Sequence, residues 1–166
     1  IAALPEGKQT LDKWFYQPAW VPGIITEADN YSPTIVFGNQ SVPVVKAITN
    51  LLAEKSASLV TVSSGVDFEN QGGVSYQLDM SDAQQIEQFF SSLGQQDSEE
   101  TAILYAWPLS QSDDIAFEHF FRFSQSLIEN DISGLKLTIL LEGSLAANPG
   151  EDIKHPLVAT ISGAAR

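Results

Sequence analysis

Cysteine is absent from the 166 residues. That excludes a disulfide framework, a thiolate nucleophile and a Cys-ligated zinc site, and it fits a reducing compartment. Positive charge is scarce: eight Lys and Arg stand against 21 Asp and Glu, a formal net charge of −13. Nucleic acids and anionic membranes are held by clustered positive charge, so neither is expected as a partner. No apolar run reaches the ~20 residues of a membrane-spanning helix, and no basic n-region with an apolar h-region opens the chain. Histidine occurs only at His119 and His155, neither in a ligand spacing such as H-E-x-x-H, so a metal site lacks support. Nowhere are two glycines separated by a single residue, which removes G-x-G-x-x-G; the P-loop lysine motif is missing as well.

What is present describes one folded unit. The length suits a single domain of ~100–200 residues, able to bury roughly 70% of its extended surface. Hydrophobic residues make up 43% and aromatics 10%, which excludes a wholly disordered chain. Charged residues are only 17%, so the acidity is spread over a polar surface rather than held in a tail. The chain begins at Ile1 rather than Met, as expected of a piece excised from something longer.

Residues 1–13 carry Pro5 and Gly7 without a sustained period and read as a linker. Trp14 to Trp20 begins like a strand that Pro18 confines to an edge, a bulge or an end. Thr34–Gly38 is a short apolar strand. Ser41 is placed to cap a helix carrying Val44, Val45, Ile48, Leu51 and Leu52. A second strand follows at Ser58–Val62. Val66–Phe68 and Val74–Leu78, flanking Gln71-Gly72-Gly73, look like a small β extension. Ser81-Asp82-Ala83-Gln84 matches a capping box, opening a helix with Ile86, Phe89, Phe90 and Leu93 on one face and Gly94 at its stop.

After the acidic loop 95–100, Thr101–Trp107 is a third core strand. Asp113 and Asp114 open a helix at the end where its dipole favours them; Phe117, Phe120, Phe121, Ser124, Leu127 and Ile128 follow. Leu135–Leu141 is a fourth strand, and a short helix is expected around Leu157–Ala165. Strands alternating with helices predict an α/β domain, Rossmann-like, with a mostly parallel sheet flanked by helices.

Such a sheet invites a nucleotide at its first strand–helix turn. Here that turn is Phe37-Gly38-Asn39-Gln40-Ser41-Val42-Pro43, with one glycine, so the dinucleotide-binding loop is lacking. A reductase pair of Tyr with Lys four positions on is also missing. Trp20, Ile35, Met80 and Leu109 follow Tyr16, Tyr31, Tyr76 and Tyr105 at that spacing. His119 reads as a helix-surface or helix-packing histidine and His155 as a helix-entry or exposed one ahead of Pro156. Glu142-Gly143-Ser144 is not a G-x-S-x-G elbow. Asp113 with Asp114, and Glu99 with Glu100, read as solvated acids rather than catalytic pairs, and the Phe117/Phe120/Phe121 cluster as packing. No catalytic, cofactor-binding or metal residue is assigned.

Three stretches, in order, carry a resemblance. They are Phe15-Tyr16-Gln17-Pro18-Ala19-Trp20-Val21-Pro22, Ile103-Leu104-Tyr105-Ala106-Trp107-Pro108-Leu109, and His155-Pro156-Leu157-Val158-Ala159-Thr160-Ile161-Ser162-Gly163-Ala164-Ala165-Arg166. Together they resemble the amino-terminal structural subdomain of ketoreductase domains in modular polyketide synthases. That family's aromatic-x-x-x-W-x-P strand, I-x-x-x-W-P/S-L strand and closing G-x-x-R element match in order. The resemblance covers 14–166; the close, Gly163-Ala164-Ala165-Arg166, departs from the family's more frequent G-L-G-R.

The resemblance implies a truncated Rossmann-like fold of the short-chain dehydrogenase/reductase kind that binds no cofactor. It would brace a catalytic subdomain that follows in the parent polypeptide and carries NADPH with the catalytic Ser, Tyr and Lys. Neighbouring synthase domains would be partners and an acyl carrier protein an indirect one, in a cytoplasmic assembly line. The bracing surface is expected at Trp14–Trp20 and at part of Trp107 or Gly163–Arg166. Two other readings stand beside it. A freestanding α/β enzyme or binding domain would hold a non-nucleotide ligand near Gly38–Ser41 or Leu109–Asp114. A flavodoxin-like or receiver-like interaction domain is the other, and a receiver would need strand-end acids and a lysine that Phe37-Gly38 and Leu141-Glu142 do not supply.

Overall fold

A computed structural model describes residues 35–55, 59–93, 102–130, 135–146 and 150–164. The linker 1–13, the aromatic stretch Trp14–Trp20, the acidic loop with Glu99 and Glu100, and the terminal Ala165-Arg166 lie outside the described residues. In order, the elements are β1 (Ile35–Phe37), α1 (Pro43–Lys55), β2 (Val60–Ser64), β3 (Glu69–Gln71), β4 (Ser75–Leu78) and α2 (Ala83–Leu93). Then come β5 (Ala102–Tyr105), a 3₁₀ turn (Trp107–Ser110), α3 (Asp113–Glu129), β6 (Lys136–Ile139) and α4 (Ala159–Ala164). The sheet runs β3-β4-β2-β1-β5-β6, parallel except for β3, and is Rossmann-like as expected.

Strand position follows from side-chain character. The central strands β1 and β5 are buried at every residue, as a strand covered on both faces must be. Next to them the pattern alternates: Val62, Tyr76 and Leu78 are buried, while Thr61, Ser63, Ser75 and Gln77 are half-buried. Register aligns Tyr76, Val62, Phe37, Tyr105 and Ile139 into one row across five strands. With Ile86, Phe89 and Phe90 of α2 and Ala116, Phe120 and Phe123 of α3, that row forms the core. Val45 of α1 meets the sheet at Gly38 and Ala106 instead. Right-handed crossovers account for the division. The chain moves one way from β1 to β2, through α1, and the other way from β4 to β5 to β6, through α2 and α3.

Several boundaries differ from the sequence reading, each for a local reason. Residues 74–78 are no peripheral extension: β4 is a parallel strand of the main sheet, and β3 is its antiparallel edge. Gly72 and Gly73 make the turn between them at φ +71° and +77°, where a side chain would be strained. Ser41 does not cap α1. The helix begins at Pro43, whose fixed φ and missing N–H suit the first helical position, and the Val42 carbonyl accepts the Lys46 amide. The cap of α2 lies one residue later than expected and is not a reciprocal capping box. Asp82 Oδ1 accepts the Gln84 amide at 2.9 Å, and Gln85 reaches back to the Asp79 amide. Ser81 is occupied elsewhere, donating through its amide and hydroxyl to Asp79 Oδ1. Those bonds hold the Asp79 carboxyl below the usual carboxylate range.

The inward face of α3 is also displaced from the expected one. Ala116, Phe120, Phe123 and Ser126 are buried, while Phe117, Phe121 and Ile128 are exposed. In α1 likewise, Val45 and Thr49 are buried, but Val44 and Leu51 face outward.

At the centre of the core the Tyr105 hydroxyl is buried without a hydrogen-bond partner among the described residues. Burial pushes its ionisation far above the usual phenol range. Leaving a buried hydroxyl unpaired costs about 1–3 kcal/mol. Tyr105→Phe, which keeps the ring and its contacts, is therefore expected to raise stability by about 1 kcal/mol. Urea unfolding of the two proteins measures this; a lowered midpoint would mean that the hydroxyl has a partner in solution.

Candidate functional site

In a Rossmann-like sheet the turn after β1 is where backbone amides would meet a phosphate. Here three of those donors are already engaged. The Gly38 amide donates to the Val62 carbonyl at 2.9 Å, Ser41 N to Asn39 Oδ1 at 2.9 Å, and Val42 N to the Asn39 carbonyl at 3.0 Å. Pro43 has no N–H. Gln40 turns its amide to Thr49 Oγ1 at 3.2 Å, tying the turn to α1. Gly38 itself serves packing: a Cβ there would stand 2.9 Å from Val45 Cγ1 and 3.3 Å from the Ala106 Cβ. Gly38 thus lets α1 pack closely on the ends of β1 and β5.

The second candidate region, Leu109–Asp114, does border a cavity. A cleft of about 260 Å³ opens beyond the carboxyl ends of β5 and β6. Pro108–Gln111, Asp113, Glu142, His155 and Val158 line it. It falls just under the ~300–1,000 Å³ of most small-molecule pockets. His155 Nδ1 lies 2.7 Å from Asp113 Oδ1, joining the approach to α4 with the first turn of α3. The His155 and Lys154 amides donate to the Gly143 carbonyl at 2.9 and 3.0 Å. Gly143 has φ +61°, and a Cβ there would press on both residues at 3.1 Å. Ser144 is buried within this closed loop rather than raised on a nucleophile turn.

The other residues named from the sequence are dispersed. Asp114 does not act with Asp113: the Ser112 side chain and the Ile115 amide hold its carboxyl low, while Asp113 faces His155. His119 is half-buried and contacts Gln111 Oε1 through Nδ1 at 3.1 Å. Burial lowers its pKa, against the raising influence of Asp79 and Glu118, while Arg122 lowers it further. Among the described residues no group of three or more His, Asp or Glu is placed to hold a metal, and no helix is long and apolar enough to cross a membrane. Of the two alternatives expected to extend the docking surface, Trp107 is 2% exposed in the domain's own core, with Nε1 unpartnered among the described residues, while Gly163 is exposed. The His155–Asp113 pair has no signature in the sequence, because 42 positions separate its members.

No protein-family model matches the chain, and no curated protein matches it in sequence. Among solved structures, it is similar to part of an "adenylation, ketoreductase, and pseudo Asub multidomain structure of a keto acid-selecting NRPS module". The TM-score is 0.68 with 16% identity, over 89% of this chain and 13% of that one. At that identity the likeness establishes the fold. This chain matches a small part of a much longer polypeptide.

Two outcomes follow from the geometry. Gly38→Ala forces its methyl against the stiff, buried Val45 and is expected to cost about 1–3 kcal/mol, read from urea unfolding. His119 binds its proton less readily folded than unfolded, so stability is full above the ordinary histidine range and falls as pH drops through about 6.5. Urea midpoints measured between about pH 8 and 5.5 should show that fall, and His119→Gln should flatten it.

Proposed function

We propose that residues 14–166 are the non-catalytic structural half of a ketoreductase in a modular synthase, preceded by a linker at 1–13. Its role is to brace a catalytic half that holds NADPH and reduces the β-keto group of a carrier-protein-bound intermediate. The observation that carries this reading is the closed turn after β1. A Rossmann-like sheet has kept its layer order while its own side chains and carbonyls take up the Gly38, Ser41 and Val42 amides of that turn, and Pro43 supplies none. Fold alone would not assign a role. Support also comes from the ordered motifs around Trp20, Trp107 and Gly163, and from the ketoreductase within the similar multidomain structure.

The motifs point to a polyketide synthase, whereas the similar structure is an NRPS module; both are carrier-protein assembly lines. The chain's direct partners would be the catalytic half and adjoining synthase domains in the cytoplasm, with the carrier protein reached through them. One observation favours a second reading, a small-molecule-binding domain: the cleft bordered by the His155–Asp113 pair.

NADPH titration separates the two. The 166-residue chain is expected to show no binding, while the chain extended by the segment that follows it in its parent polypeptide binds NADPH and reduces a β-keto thioester. A Kd below about 0.1 mM for the isolated chain would overturn the structural-half reading.

A further inference from the structure

The cleft beyond the carboxyl ends of β5 and β6 has two unlike sides. Pro108, Leu109 and Val158 make one of them apolar, and Val158 belongs to the core. Gln111, Asp113, Glu142 and His155 make the other polar. An apolar surface with a few placed polar groups is the ordinary form of a small-molecule site. Taking the ~30 Å³ share of one water as a unit, about 260 Å³ holds roughly eight non-hydrogen atoms. The polar side is also built in advance. The Lys154 and His155 amides share the Gly143 carbonyl, and His155 Nδ1 meets Asp113 Oδ1 at 2.7 Å. The segment after β6, the approach to α4 and the first turn of α3 are thereby fixed to one another. A site preformed in this way loses little binding free energy to ordering its own walls.

Charge selects among ligands of that size. Two carboxylates border the cleft, and among the described residues no lysine or arginine does. The one basic group, His155, already has Asp113 as its partner. Asp113 opens α3, where the helix dipole favours its ionised form, and its side chain is only 20% exposed. A carboxylate offers about four acceptor sites, of which the imidazole takes one. Glu142 makes no hydrogen bond or ion pair among the described residues. An anion here would meet like charge, and a neutral molecule would leave most of these acceptors without a charged donor. An ammonium group carries three N–H donors and forms the stronger, charge-assisted bonds to carboxylates.

We propose that this cleft binds a small primary amine, its ammonium group toward the carboxylates of Asp113 and Glu142 and its short aliphatic body against Pro108, Leu109 and Val158. This rests on the second reading, in which the cleft is a ligand site, and it holds whether or not the chain also braces a catalytic half.

Amide NMR spectra of the 166-residue chain, titrated at constant ionic strength with butylammonium, butyrate and 1-butanol, test this. The three probes share a short alkyl chain and differ in charge. Butylammonium is expected to move the amides of Gln111, Asp113, Gly143 and His155 with a Kd of about 1–10 mM, while neither analogue saturates below about 0.1 M. Glu142→Gln, at an exposed position, should weaken butylammonium about tenfold. Glu54→Gln makes the same change of charge on α1 and should leave the affinity as it was. Shifts scattered over the acidic surface without saturation, or equal weakening by the two substitutions, would overturn the amine assignment. Butyrate or butanol seated in the cleft in place of butylammonium would overturn it too, while leaving the cleft a ligand site. A cleft that responds to none of the three would remove the second reading along with the amine.

Discussion

The fold depends on the contacts of one side chain, Phe37, at the end of the central strand. Its ring meets Phe89 of α2 edge-on at 5.3 Å and Phe123 of α3 at 5.0 Å, with Tyr105 and Trp107 at 6.2 and 6.3 Å. Two helices and two strands thus share one aromatic centre. Such ring pairs contribute about 0.5–1.5 kcal/mol each beyond the area they bury. Their larger effect is geometric, because an edge-on ring admits few orientations of its neighbours. With Phe123 seated on Phe37 and Tyr105, the rotation of α3 about its own axis is set. Which residues of that helix face solvent is set with it.

The same centre sets the packing at the end of β1. Phe37 and Tyr105 draw β1 and β5 together, and the Ala106 amide donates to the Phe37 carbonyl at 2.7 Å just past them. Gly38 then lies against Val45 and Ala106 with no room for a methyl group. A glycine at this turn commonly admits a phosphate to the backbone; here it admits the first helix. The small polar cleft beyond β5 and β6 is a separate feature, held by Asp113, His155 and the Gly143 carbonyl. Phe117, Phe121 and Ile128 stay exposed on the outside of α3.

Much of this was legible in the sequence, and the misreadings have physical causes. Ile35–Phe37 and Ala102–Tyr105 are uninterrupted apolar runs, so their burial as central strands was readable directly. The Ser75–Leu78 segment alternates like an edge hairpin. Its parallel pairing with β2 depends on a neighbour that local pattern cannot name. Ser81 and Asp82 are both good caps, and the choice fell to Asp82 because Asp79 had already engaged Ser81. Trp107 follows a strand and precedes Pro108, a place where a docking residue is plausible. Yet a large apolar ring beside Phe37 is worth more buried than exposed. His155 and Asp113 meet only because β6 returns the chain to the start of α3.

By itself the sequence determined the acidic, cysteine-free character of the chain, the order of its strands and helices, and the lack of a dinucleotide fingerprint. These are properties of composition and short-range pattern, and folding cannot change them. Tertiary structure decided which of two stripes on α3 would be core. Phe117 and Phe121 fit the helical period as well as Phe120 and Phe123 do, so periodicity alone leaves the helix free to rotate. The sheet removed that freedom, since only Phe120 and Phe123 reach Tyr105 and Phe37 when α3 crosses from β5 to β6. The stripe left outside is a consequence of that packing.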